Sequence, residues 1–140
     1  MNFVVGPYIK RDIKKIKINS IEEDIESHYK IFRGKVTEIK SQYSVPLAQA
    51  FLYETTVDDI IVYFYKDRCA TKNPKNSPAS GLRIVFGLFV VDGKPIKYMP
   101  FLVFLAKDEG NFYLAPNNKK YRLTSSNFKH IIEAKLTYLS

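Results

Sequence analysis

The spacing of apolar positions changes character near Asp58. Before it, apolar residues recur mainly at steps of three and four; after it, they run together in β-branched and aromatic blocks. Asn2 to Val5 reads as a short strand and leads into Pro7, a residue suited to the first turn of a helix. Ile9, Ile13 and Ile16 then share one helical face, while Lys10, Lys14, Lys15 and Lys17 fall around the opposite side. Ser20, with Glu23 three residues later, has the form of a capping box. Ile21, Ile25, His28, Phe32, Val36 and Ile39 extend an apolar stripe over about five turns. These two segments predict a helical hairpin. Over Ser41 to Thr56 the pattern is least legible: Pro46 is a break, and Leu47 to Tyr53 fits either a short helix or a strand.

Beyond Asp58-Asp59, Ile60 to Tyr65 is a β-rich run that ends at Lys66-Asp67-Arg68. Thr71 to Gly81, with Asn73-Pro74, Ser77-Pro78 and Gly81, predicts a mobile loop. Leu82 to Val91 and Ile96 to Ala106 are strong strands flanking a hairpin connection at Asp92-Gly93-Lys94-Pro95. Asn111 to Lys120 reads as polar loop, with a brief strand near Tyr121 to Leu123. Ser126 is placed to cap a last helix whose apolar face takes Phe128, Ile131, Ile132, Lys135, Leu136 and Leu139. With no internal repeat and no linker, residues 1–140 read as one domain. The element order predicts an α+β fold: an antiparallel sheet of about four strands, packed on one face by the N-terminal helical hairpin and the C-terminal helix.

Composition supports a folded chain, since 46% of residues are hydrophobic and there are ten Phe and ten Tyr. Charge adds an asymmetry. From Met1 to Tyr65, nine basic residues meet nine acidic ones, so the net charge of +8 arises from Lys66 onward. A one-sided positive field makes nucleic acid the first partner to consider; a solvated lysine-rich surface is the plainer alternative. The single cysteine, Cys69, makes no internal disulfide, which fits a reducing cytoplasmic home best, with a disulfide-free secreted protein as the other possibility. The opening apolar run is too short for a secretory signal, and the longest apolar stretches fall below the roughly 20 residues a membrane helix needs. Cys69, His28 and His130 are dispersed singly, so no metal site and no cofactor are expected, and each His reads as a surface or helix-face residue.

Several short stretches carry a family likeness. They are Tyr65-Lys66-Asp67-Arg68, a lysine-bearing loop, Ser80-Gly81-Leu82-Arg83-Ile84-Val85-Phe86, a short hairpin, and Phe104-Leu105-Ala106-Lys107-Asp108-Glu109. In these the chain resembles the RelE/ParE superfamily of bacterial toxins, including its HigB-like members. Shared features are a basic strand end, a glycine closely followed by an arginine entering the next strand, and an Ala-Lys-acidic ending to the third. The opening strand and the helical hairpin with its lysine-rich first helix match the family's order. The likeness spans Asn2 to Tyr113 and is most specific from Tyr63 to Glu109. Residues 41–56 and the C-terminal extension, about 111–140, go beyond the family core.

The resemblance implies a toxin of a type II toxin–antitoxin system, held inactive by a cognate antitoxin. RelE-like and HigB-like members are endoribonucleases that cleave mRNA, usually on the ribosome; ParE-like members instead block DNA gyrase without enzymatic activity. A basic nucleic-acid-binding α+β module without toxicity is a third reading. RNA cleavage of this type requires activation of a 2′-hydroxyl, charge stabilisation at the phosphorane and a proton for the leaving oxygen. Arg and Lys supply the second requirement without metal or cofactor. Lys66, Arg68 and Arg83 are assigned to the scissile phosphate, with Lys107 as a further cation or proton carrier. Arg83 enters an apolar strand, for which the competing reason is an ion pair with Asp67 or Glu109. Lys72 and Lys75 are assigned as loop contacts to RNA, and Tyr113 to base stacking or proton transfer.

Overall fold

The computed structural model describes residues 1–36, 50–76, 81–108, 112–114, 119–124 and 126–139. In chain order it holds β1 (Asn2–Phe3), a 3-10 turn (Pro7–Ile9), α1 (Lys10–Lys15), α2 (Ile21–Arg33), β2 (Ala50–Val57), β3 (Ile60–Cys69), β4 (Thr71–Lys72) and β5 (Lys75–Asn76). There follow β6 (Leu82–Val91), β7 (Lys94–Leu105), a second 3-10 turn (Ala106–Asp108), β8 (Phe112–Leu114), β9 (Lys119–Tyr121) and α3 (Phe128–Leu139). The fold is α+β. Its main sheet has the order β1-β7-β6-β3-β2, antiparallel except for β1, which runs parallel to β7.

Turn chemistry explains the central meander. β6 and β7 are joined by Asp92 and Gly93, both at positive φ (49° and 76°), the conformation of a tight two-residue hairpin. Asp58, also at φ 49°, turns β2 into β3; Asp is among the few side chains that tolerate this region. β2 is the strand that raises the expected four to five. It resolves the choice left open over Leu47 to Tyr53 in favour of strand from Ala50.

The helices cover both faces of the sheet, not one. Tyr63, Tyr65, Phe86 and Tyr98 pack with Ile21, Ile25 and Phe32 of α2. Val62, Phe64, Val85 and Phe101 pack with Phe128 and Ile131 of α3 on the other side. Neighbours along β3 therefore enter different cores, and the run Ile60 to Tyr65 is apolar throughout because both of its faces are buried. The β7 edge is closed as well. β1 covers its first part, with Val4 N–H donating to the Tyr98 carbonyl (3.0 Å); farther along, Asp12 Oδ2 accepts the Val103 N–H (3.2 Å).

Five local expectations differ in detail, one being that β8 and β9 pair antiparallel within the stretch expected as polar loop from Asn111 to Lys120, with the late strand at Lys119–Tyr121. α2 stops at Arg33, ahead of Gly34, so the stripe drawn to Ile39 is shorter as helix; residues beyond 36 lie outside the described segment. The Ser20 side chain makes no capping bond to α2 and donates instead to Asp24 Oδ2 (2.7 Å). Thr71 to Asn76 forms the β4–β5 hairpin where loop was expected, with a cis peptide at Asn73-Pro74. The last helix begins one residue later than Ser126 would set it, with the Asn127 carbonyl accepting the first N–H groups, from His130 (3.0 Å) and Ile131 (3.2 Å).

Candidate functional site

The β3–β6 register brings three of the sequence-assigned cations together. Arg68 lies directly opposite Arg83, and Lys66 opposite Val85. Side chains two apart on a strand share a face, so Lys66, Arg68, Arg83 and Val85 all point to the α3 side with Val62 and Phe64. Facing residues in such a ladder have Cβ atoms about 4.5–5.5 Å apart, with diagonal neighbours such as Lys66 and Arg83 at about 7–8 Å. Arg83 is buried, Lys66 half-buried and Arg68 exposed, which grades the three from the sheet interior to solvent. On its other side Arg83 pairs with Phe104 of β7.

An anion set between the two guanidinium groups is attracted by both. Guanidinium forks suit phosphate oxygens in particular, and half-burial strengthens the contact. The arrangement can therefore take one phosphate between Arg68 and Arg83, with Lys66 as the third charge.

Lys107 sits at the same end of the meander. It is exposed in the 3-10 turn that follows β7, and the Ala106 N–H donates to the Gly81 carbonyl (3.2 Å), tying this turn to the start of β6. Lys72 and Lys75 are placed differently, on the β4–β5 hairpin beyond β3. Lys72 N–H donates to Ser20 Oγ (3.2 Å) and Asp24 Oδ1 (3.1 Å), and its ammonium pairs with Glu23 of α2. That fastening holds Lys72 toward α2. Tyr113 is in β8, opposite Lys120. Glu109 lies outside the described residues.

Asp67, between Lys66 and Arg68, belongs to the opposite face. Its Oδ1 accepts the Arg68 N–H (2.8 Å), and its Oδ2 meets His28 Nε2 at 2.8 Å. His28 Nδ1 lies 2.6 Å from the Tyr98 hydroxyl. Burial, reinforced by the Asp67 charge, pushes the Tyr98 hydroxyl well above its usual range, so it keeps its proton. A carboxylate only accepts, so His28 Nε2 donates to Asp67, while Nδ1 and the Tyr98 hydroxyl form the second bond of the chain. This buried chain was not assigned from the sequence. Of the two places given to His28, surface or helix face, it takes the helix face, buried on the apolar stripe with Ile25; partners 39 and 70 residues away are invisible to local pattern.

No family model, curated protein or solved structure matches the chain. Among the described residues no group of three or more His, Cys, Asp or Glu could hold a metal ion, and no helix is long and apolar enough to cross a membrane.

Proposed function

We propose that this chain is a toxin of the RelE/HigB kind, an endoribonuclease acting on mRNA, with RNA and a neutralising antitoxin as its partners. The observation that carries this reading is the facing pair Arg68–Arg83, with Lys66 on the same sheet surface and Lys107 at its rim. The order of opening strand, helices and antiparallel meander adds support, because it places the resembling segments next to one another. In the reaction, the 2′-oxygen forms a bond to the adjacent phosphorus and the bond to the 5′-oxygen breaks. The proton lost by the 2′-hydroxyl is matched by one gained at the leaving oxygen, leaving a cyclic phosphate and a 5′-hydroxyl end. Arg68 and Arg83 fork onto the equatorial oxygens as charge develops, and Lys66 supplies a point charge. No step calls for a metal or a cofactor.

Induced expression in a bacterial host tests the proposal, with growth and mRNA 5′ ends followed together. Growth arrest with new 5′-hydroxyl ends, phased to codons if the ribosome is required, is the expected result. Arrest with intact messages and DNA-damage signalling would move the case to gyrase inhibition. No arrest would leave a basic domain that binds nucleic acid without toxicity.

A further inference from the structure

The outer side of β1 borders a groove that the proposed activity does not use. β1 is the outermost strand of the sheet, and among the described residues no strand pairs with its second edge. Val4 N–H points inward to Tyr98, so by strand alternation Phe3 presents its own N–H and C=O to the outer edge. Beside this edge runs an open groove of about 580 Å³ between β1 and the start of α2. Phe3, Val5 and Ile25 give it an apolar floor, and Glu22, Glu23 and Glu26 form its rim; no Lys or Arg is among the described residues that line it. Val5 is 56% exposed, although it belongs to this floor.

We infer that the groove docks an extended segment of another protein, one that adds to β1 as a further strand and carries Lys or Arg at alternate positions. The spacing fits. Glu22 and Glu26 are one helical turn apart, about 6 Å along the axis, and alternate residues of a strand are separated by about 6.6 Å. Each basic side chain lays its aliphatic stem on Phe3 or Val5 and carries its charge to the rim. Glu23 is already engaged by Lys72, and Glu26 meets Lys30 only at 3.7 Å in an exposed pair, so Glu22 and Glu26 are the receiving groups. Backbone pairing supplies affinity and the alternate side chains supply selectivity. The net charge of +8 repels such a segment from most of the surface, which confines its attraction to this acidic border. The inference holds whatever the α3-side cations do.

A capped peptide of about ten residues alternating Thr and Lys is the probe, long enough to span the edge. Its binding to the full chain is followed by fluorescence anisotropy and by backbone amide shifts. The expected result is saturable binding with shifts centred on Asn2 to Val5 and the first two turns of α2. The double variant Glu22→Lys/Glu26→Lys is expected to weaken binding at least about tenfold, and a peptide with Pro in place of Thr, which lacks half the N–H donors, to bind poorly. Equal binding by a Thr-Glu peptide, shifts elsewhere, or indifference to both changes would overturn the inference. So would sedimentation showing that the chain alone dimerises through this groove, since a second copy would then be its occupant.

Discussion

Replacing Lys135 by methionine tests how α3 is fastened to the rest of the fold. The Lys135 ammonium donates to Asp12 Oδ2 (2.7 Å) and to the Tyr8 carbonyl (2.7 Å), and the two charged side chains are 6% and 14% exposed. Burial pushes the Asp12 carboxyl up from 3.8, with the Lys135 charge and the Val103 N–H pulling partly back down. Burial likewise pushes Lys135 down, opposed by Asp12. Methionine keeps most of the volume but leaves a buried carboxylate holding one N–H donor. Breaking a buried pair from one side costs about 3–5 kcal/mol, a large share of the roughly 5–15 kcal/mol that holds a typical domain together. The loss should depend on pH. Without Lys135, the folded-state pKa of Asp12 rises further above its unfolded value of 3.8. The folded state then keeps a proton that the unfolded state releases, so stability falls as pH rises from the unfolded pKa through the folded one. The deficit relative to the parent is therefore fully developed at neutral pH and shrinks as pH falls toward 3.8. Urea denaturation at about pH 7 and pH 5 measures it, and Asp12→Leu/Lys135→Met should recover much of the loss. A deficit below about 1 kcal/mol at neutral pH, or one indifferent to pH, would refute the reasoning.

Three other outcomes follow from the cores. Tyr98→Phe removes the hydroxyl bonded to His28 Nδ1, leaving a buried ring nitrogen without its partner; urea melts should show a loss of about 1–3 kcal/mol. Cys69 is buried, and burial pushes its thiol up to about 12, so a thiol reagent at neutral pH should label it only after denaturation. Gly87→Ala sets a methyl 3.2 Å from the Phe64 ring and 3.5 Å from Val62, against well-packed strands, and should lower stability by about 1–3 kcal/mol; an unchanged or raised midpoint would show that Phe64 moves aside freely.

Local pattern carried the reading where one residue type decides the backbone. Asp92-Gly93 announced its hairpin, and the Ile21–Ile25–Phe32 spacing marked the buried side of α2. Gly34, just past the last residue of α2, carries a stop signal that the apolar stripe drawn to Ile39 passed over. What escaped were features set by partners distant in sequence. Ser20 had a capping position, yet its hydroxyl is drawn to Asp24 and to the Asn73 N–H (2.8 Å). Lys135 was placed on the apolar face of the last helix, and there it is the buried cation that meets Asp12. The continuous apolar run in β3 held the clue that both sheet faces are covered, since a one-sided sheet alternates. For the candidate site, the same-face relation of Lys66 and Arg68 was legible from the strand period. Arg68 opposite Arg83 was not, because register depends on the chain between the two strands.

The central claim is that the cations on the α3-facing surface of β3 and β6 carry the activity. Its most direct test is expression of Lys66→Ala/Arg83→Ala beside the parent chain in one host, with mRNA 5′ ends mapped and folding checked by thermal melting of the purified proteins. Because Arg83 is buried, the exposed Arg68→Ala is carried in parallel as a variant that spares the core. A folded double variant is expected to produce neither arrest nor new 5′ ends, and Arg68→Ala to be strongly impaired. Undiminished arrest and unchanged cleavage in both folded variants would contradict it.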